Sequence, residues 1–263
     1  GGAAADGDLR AAADLLLQAE GLALIPRADG LAILLALLAP WGAAAQLPAP
    51  TPLPAQSAAC PARGTPVVNL DLVDPEPRLL PPLSARQLRI EAGGSADGPF
   101  PHYLGLTISH VEWRSEITVR SRGTRGEPVC AVPTELRIRL LHAMHGIRLA
   151  REVPPGGCLA AEVLAHERRH AEVNRRTLRE AATELRALAR AWAARAEARA
   201  PDVNAAAIAL QAELGQVLEP ALARLRAARE AGHDAIDTPE EYQRLSRACP
   251  EDQRRLRQAL RGS

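Results

Sequence analysis

Hydrophobic and polar positions alternate through the middle of the chain, which is the pattern of half-buried β-strands. The alternation is clearest where Trp113, Ile117 and Val119 share one face and charged residues occupy the other. Five segments fit a strand in this way: residues 67–73, 104–108, 112–120, 135–141 and 147–153. The glycines within residues 121–128 predict a turn, and the run PPGG at residues 154–157 ends the β region.

From residue 159 the spacing of apolar positions becomes helical. It predicts one helix over about 159–200 and a second over about 203–231, which Asp202 caps and Gly232 ends. Pro220 should kink the second helix. The sequence therefore predicts an α+β fold, an antiparallel β-meander followed by a long α-helical hairpin.

The N-terminal part resembles an export signal. Residues 31–38 form a short apolar run with Arg27 before it and small residues at 43–45 after it, the order of a secretory signal peptide. The alternative is a buried helix of the mature protein. We expect three regions: residues 1–45, an N-terminal extension and signal peptide; residues 46–65, a Pro/Ala-rich linker; and residues 66–263, a single domain with a β part (66–153) and a helical part (158–263).

The four cysteines all lie after the expected cleavage site. An even count in an exported chain favours two disulfides, for which three pairings are possible. We favour Cys130–Cys158 and Cys60–Cys249. The alternative, four free thiols, requires a reducing compartment.

A formal net charge of +1 gives no strong field that would attract nucleic acid or an acidic membrane. The apolar run at 31–38 is short for a bilayer span, so no stable membrane span is expected after signal cleavage. The expected location is secreted or periplasmic.

The residues His166-Glu167-Arg168-Arg169-His170 spell HExxH. On a helix the two histidines lie one turn apart on one face, where both can bind one zinc ion. Glu167 can then act as the general base toward water. The alternative is a solvated helix face with two unpaired histidines, and the Arg pair indicates a more exposed helix than is typical of this motif.

A catalytic zinc takes three protein ligands and keeps one position open. If the two helices are antiparallel, their lengths bring His233 back beside the motif, so we favour it as the third ligand. Asp234 and Asp237 in the same loop are alternatives, either as ligands or as partners of an imidazole. Glu180 and Glu184 lie too far along the motif helix to reach the same ion.

The other histidines are weaker candidates. His102, His110, His142 and His145 are expected to be surface or turn residues. Tyr242, close to His233 in the chain, could stabilise the oxyanion that forms when a carbonyl is attacked.

The order of these features is similar to a family of secreted bacterial proteins described as predicted zinc-dependent proteases. The likeness covers about residues 105–245 and rests on a Cys opening one strand (Cys130), the HExxH helix and the polar loop 233–238. It implies a zincin-type metallopeptidase with His166 and His170 as zinc ligands and Glu167 as the base.

The predicted function is therefore a secreted, Zn²⁺-dependent hydrolase, a metallopeptidase acting on a peptide or protein, with cell-wall peptide as one possible substrate. A strand such as 147–153 could hold the extended peptide by edge pairing. The alternative is a non-catalytic envelope protein with a structural zinc or a helical interaction arm.

Overall fold

The computed structural model describes residues 7–11, 59–93, 103–124 and 126–261. The predicted signal peptide and His102 lie outside these ranges. The strands are β1 (Gly7–Ala11), β2 (Val67–Val73), β3 (Arg78–Leu79), β4 (Gly105–Arg122), β5 (Val129–Leu149) and β6 (Ala198–Ala200). The helices are α1 (Ala85–Glu91), α2 (Cys158–Ala193), α3 (Val203–Asp234), α4 (Pro239–Arg247) and α5 (Pro250–Arg261).

The strands form one mixed sheet, in the order β1-β4-β5-β2. β4 pairs antiparallel with β1 and β5, whereas β2 and β3 pair parallel with β5. The α+β class is confirmed, but the antiparallel meander is wrong. A meander pairs consecutive strands, and here β2 skips two strands to lie parallel beside β5.

Two long strands replace the four short ones expected after residue 100. β4 has 18 residues and β5 has 21, and they pair along their length around the predicted turn. The register shifts between His110 and Val111, where β5 carries the additional residue Ala143. A bulge of this kind breaks the alternation of apolar positions without ending the strand, which is why the sequence looks interrupted there.

Helices α2 and α3 lie antiparallel on one face of the sheet, as the contacts Glu184–Arg224 and His170–His233 show. The main core lies between this helix pair and the strands. Its largest fully buried side chains include Leu136, Ile138, Leu140, Leu178, Leu185, Trp192, Leu210, Leu214 and Leu218. With few aromatic residues in the chain, interdigitated aliphatic side chains make up most of this core.

Both helix ends differ from expectation. α2 ends at Ala193, and residues 198–200 form β6 against the start of β5 instead of continuing the helix. α3 continues through Pro220 and through Gly232 to Asp234. A Cβ on Gly232 would lie 2.6 Å from Val173 Cγ1, so this glycine allows α3 to approach α2 closely and does not end the helix.

A smaller core joins α1, the start of α2 and α5 through Leu88, Leu159, Val163 and Leu256. At its edge the backbone N–H of Leu159 donates to Asp252 Oδ2 over 3.0 Å, so α5 supplies the acid at the N-terminus of α2. The helix that carries the HExxH motif is therefore fixed at its beginning by the C-terminal part of the chain.

Two disulfides are present, as predicted, but their pairing differs. Cys60 bonds Cys130 and Cys158 bonds Cys249, with Cα–Cα distances of 5.0 and 5.7 Å. The favoured Cys130–Cys158 and Cys60–Cys249 pairs are wrong, because α5 packs on the N-terminus of α2 and brings Cys249 there. Disulfides are typical of compartments outside the reducing cytoplasm. Among the helices described, none is long and apolar enough to cross a membrane.

Candidate metal centre

Three side-chain atoms meet at the buried face of α2. The distances between His166 Nε2, His170 Nε2 and Asp237 Oδ1 are all 3.1 Å. Zinc bonds of about 2.0–2.1 Å at tetrahedral angles separate two ligand atoms by about 3.3 Å. The triangle thus has the size that a tetrahedral zinc site requires, and two imidazoles with one carboxylate suit this ion.

The motif helix presents two different sides. His166, Glu167 and His170 are buried, whereas Arg168 and Arg169 are exposed. The expectation that the Arg pair signals a more exposed motif is therefore wrong, because the charges point away from the site. Asp237, with 36% of its side chain exposed, opens the cluster to solvent on one side.

A chain of hydrogen bonds sets the orientation and tautomer of His170. His233 Nε2 lies 3.1 Å from Asn174 Oδ1, which only accepts, so His233 carries its proton there. His233 Nδ1 is then an acceptor and lies 2.8 Å from His170 Nδ1. His170 therefore donates from Nδ1 and keeps the Nε2 lone pair toward the cluster. Asn174 is 1% exposed, so water does not compete for this chain.

His166 is oriented by a carboxylate in the same way. Its Nδ1 lies 3.3 Å from Glu241 Oε1, and Glu241 is also paired with Arg169 and Arg244. Arg244, and then Arg169, hold the pKa of Glu241 down to about 2, so it is ionised and can accept the Nδ1 proton of His166; Arg169 Nη2 lies 3.1 Å from the same nitrogen. With the proton on Nδ1, the Nε2 lone pair of His166 is left for a metal ion.

Glu167 is held beside the cluster by β4. The hydroxyl of Thr107 lies 2.7 Å from Glu167 Oε2, which leaves Oε1 without a hydrogen bond from the described residues. A Cβ on Gly105 would lie only 2.5 Å from Oε1, so any larger residue there would have to displace the Glu167 side chain. Burial raises the pKa of Glu167 above its usual value, against the opposing effect of Thr107. A raised pKa is typical of a carboxylate that exchanges protons near neutral pH.

The charges of the cluster are mutually stabilising. Although burial raises the pKa of Asp237, its hydrogen bonds to His166 and His170 lower it well below the usual range. Burial lowers the pKa of His166, but Asp237 and the other acids outweigh burial and raise it above its ordinary value. A positive charge is thus favoured where the zinc ion would lie.

The turn after α3 positions the third side chain. The backbone N–H of Asp237 donates to the carbonyl of His233 over 3.0 Å. Thr238 then caps α4, accepting from the backbone N–H of Glu241, and Pro239 opens that helix. A single local sequence thus supplies both the carboxylate of the cluster and the carboxylate that orients His166.

The predicted residues have different places in this arrangement. His166, His170 and Glu167 come together as expected, but His233 contacts the opposite side of the His170 ring from the cluster. Asp237, one of the two alternatives, occupies the third corner. Tyr242 lies near the His166 ring, 6.2 Å between centroids. Burial and the neighbouring Asp237 raise the pKa of Tyr242, so it stays a protonated donor.

His142 and His145 form a second group with Asp74, and they are buried, not surface or turn residues as expected. His142 Nδ1 lies 3.2 Å from Asp74 Oδ1, and His145 Nδ1 lies 3.2 Å from the Pro75 carbonyl. The two rings stack with centroids 4.4 Å apart and planes 20° apart. The ligand atoms of this group lie within 4.8 Å of one another and could hold a metal ion, but the in-plane lone pairs of nearly parallel rings do not converge, so we favour a structural role.

Sequence reasoning missed Asn174, Thr107 and Glu241. Asn174 continues the stripe of His166 and His170 at a spacing of four residues, a signal that could have revealed it. Thr107 has no signal in the sequence, since its position depends on where β4 passes α2.

Comparison of the chain with protein-family models, with curated proteins and with solved structures gave no match.

Proposed function

We propose that the protein is a zinc-dependent hydrolase that cleaves peptide bonds, with His166, His170 and Asp237 as the metal ligands. The observation that carries this proposal is that three potential ligand atoms lie 3.1 Å from one another, beside the buried carboxylate of Glu167. Structural zinc sites take four protein ligands, whereas the described residues bring three together at a face open to solvent. Three ligands and a nearby base are typical of a catalytic site.

When bound, zinc supplies Lewis acidity, which polarises a carbonyl group and makes water a stronger acid. Glu167 takes a proton from the attacking water as the new C–O bond forms. It then gives that proton to the amide nitrogen as the C–N bond breaks, so that the carboxylate is regenerated. Thr107 keeps Oε2 in place during both transfers, and the Tyr242 phenol is a candidate donor to the developing oxyanion.

The substrate strand is proposed to be β4, not the 147–153 segment. Gly146 and Ile147 pair with β3 on one side and β4 on the other, so that segment has no free edge. In the described part of the chain, β1 covers β4 only at Ile117–Ser121. The part of β4 that holds Gly105 and Thr107 is therefore free to pair with an extended peptide next to Glu167.

Zinc content and hydrolysis measured on the same set of variants test this proposal. After purification without added metal, the wild type should carry about one zinc per chain. Asp237→Ala should lose the zinc, while the matched control Asp234→Ala, three residues earlier, should retain it. His233→Ala should still bind zinc, but roughly 10- to 100-fold more weakly, because it only orients His170.

Glu167→Gln separates metal binding from catalysis. It should retain zinc and lose hydrolysis of a mixed peptide library, because glutamine cannot accept the water proton. Zinc binding by Asp237→Ala as tight as that of the wild type would contradict the ligand assignment. A zinc-loaded wild type that cleaves no peptide, including cell-wall peptide, would contradict the proposed activity and favour a binding protein with a metal.

A further inference from the structure

A groove of about 790 Å³ runs between β4 and α3. One wall is the helix-facing side of β4, with Ser109, Val111, Trp113 and Ser115 at alternate positions. The other wall is the side of α3 that includes Gln211, Gly215, Leu222, Leu225 and Arg229. The lining is mostly apolar, with charged groups at its rim and inner end.

One end of the groove lies next to the candidate metal centre. At its far end Gln211 Nε2 donates to the carbonyl of Ser115 over 3.1 Å and closes the passage. At its near end lie Ser109 and Arg229. Thr107, which holds the base, is two residues before Ser109 on the same face of β4, about 7 Å away. An extended peptide paired with β4 would thus enter the groove directly from the site.

Arg229 at this near end has an unusual environment. Its Nε and Nη2 atoms are buried, and neither has a hydrogen-bond partner among the residues that the structure describes. Burial lowers the pKa of Arg229, and in the described ranges no carboxylate counteracts that effect. By contrast, Arg226, one turn earlier, also lines the groove and is paired with Glu219.

The neighbours of Arg229 cannot neutralise it. Burial, with the charges of His145 and Arg229 added, lowers the pKa of His142 to about 4. This histidine is therefore neutral near pH 7. A desolvated cation without a partner is costly, and an anion bound to it would offset that cost.

We propose that Arg229 binds a carboxylate of the substrate, so that the enzyme prefers peptides with an anionic group close to the cleaved bond. This inference rests on the proposed function and specifies its substrate. The planar guanidinium matches a carboxylate in two parallel hydrogen bonds, and the surrounding low dielectric strengthens them. The carboxylate is either the C-terminus of a peptide or an Asp or Glu side chain, which present the same chemistry.

The position of Arg229 limits the distance between the carboxylate and the cleaved bond. Arg229 precedes His233 by one helical turn, about 6 Å, and His233 touches His170. An extended peptide spans about 3.3–3.6 Å per residue. The carboxylate therefore belongs within roughly three residues of the bond that is hydrolysed.

Matched peptide libraries test the preference. Acetylated hexapeptide mixtures are made with a free C-terminal carboxylate or as amides, each with or without Asp and Glu, and cleavage by the zinc-loaded protein is followed by mass spectrometry. The wild type should cleave the carboxylate-bearing peptides roughly 10- to 100-fold faster. Arg229→Gln should lose this preference, Arg229→Lys should keep part of it, and the control Arg226→Gln should keep all of it.

Binding to the inactive Glu167→Gln protein gives a readout that does not need hydrolysis. Acetyl-trialanine and its amide are titrated against the fluorescence of Trp113 in the groove, with Arg229 intact or replaced by Gln. If the free acid binds more tightly than the amide, and only when Arg229 is present, the inference is supported. This holds even if the wild type proves inactive and the proposed function fails. Hydrolysis with equal rates for acid and amide, or a preference that survives Arg229→Gln, overturns the inference and leaves the proposed function standing.

Discussion

The buried histidine His142 should make the protein sensitive to mild acid. Its side chain is fully buried against Asp74 and the stacked His145 ring. Burial, then the charges of His145 and Arg229, lower the pKa of His142 to about 4, from an unfolded value near 6.5. Since the unfolded chain binds this proton more readily, stability is complete above about pH 6.5 and falls as the pH drops toward 4. Below pH 4 both states are protonated and this loss stops.

The pKa difference sets the size of the effect. The difference between these two pKa values corresponds to about 3 kcal/mol in full, most of which is lost by pH 4.5. Asp74 begins to contribute only below its ordinary pKa, because its ion pairs with Arg175 and Arg179 lower its pKa despite burial. The range from pH 7 to pH 4.5 therefore reports mainly on buried histidines.

Urea unfolding of metal-free protein at pH 7 and pH 4.5 measures this loss. His142→Gln, which is neutral at both pH values and retains a donor for Asp74, is the control. The free energy of unfolding of the wild type should fall by about 2 kcal/mol more than that of the variant over this range. Equal losses in the two proteins would refute the conclusion that His142 stays neutral in the fold.

Three further outcomes follow from the packing. Gly105→Ala should reduce hydrolysis at least about tenfold with zinc retained, as judged by metal content and kcat, because the added methyl group displaces Glu167. Replacing both Cys158 and Cys249 by Ser should lower the free energy of unfolding by about 4–5 kcal/mol for the 91-residue separation, and a loss under about 1 kcal/mol in urea unfolding would contradict this. Arg229→Met should raise Tm in the absence of substrate, by an amount equivalent to about 1–4 kcal/mol, because it removes a buried charge that has no partner in the described part of the chain. A lower Tm would show that the guanidinium stabilises the fold.

The sequence was informative where local spacing decides the structure. The i, i+4 spacing of His166 and His170 already determined that both rings share one helix face, with Glu167 beside them. The side chain that lies third in the cluster depends on where α3 ends, and the predicted helix end was wrong. Gly232 resembles a helix stop, but it is a point of close contact with Val173, so the helix continues for two more residues.

The sheet could not be predicted from alternation alone, because strand partners are chosen by long-range packing. The bulge at Ala143 hid the continuity of β5, and nothing local to Val67–Val73 indicates a parallel partner 68 residues away. The burial of His142 and His145 was not predicted either, because it depends on β5 crossing beneath the helices, which is also a long-range contact.

The order in which the site's parts occur along the chain has a consequence for biosynthesis. His166, Glu167 and His170 leave the ribosome about seventy residues before Asp237. A partly synthesised chain therefore contains the base and two imidazoles, but it lacks the carboxylate that completes the triangle. The Cys158–Cys249 bond, which ties the start of α2 to α5, forms later still. The three side chains of the triangle and the bond that holds the start of α2 to α5 can therefore come together only after Asp237 and Cys249 have both been synthesised.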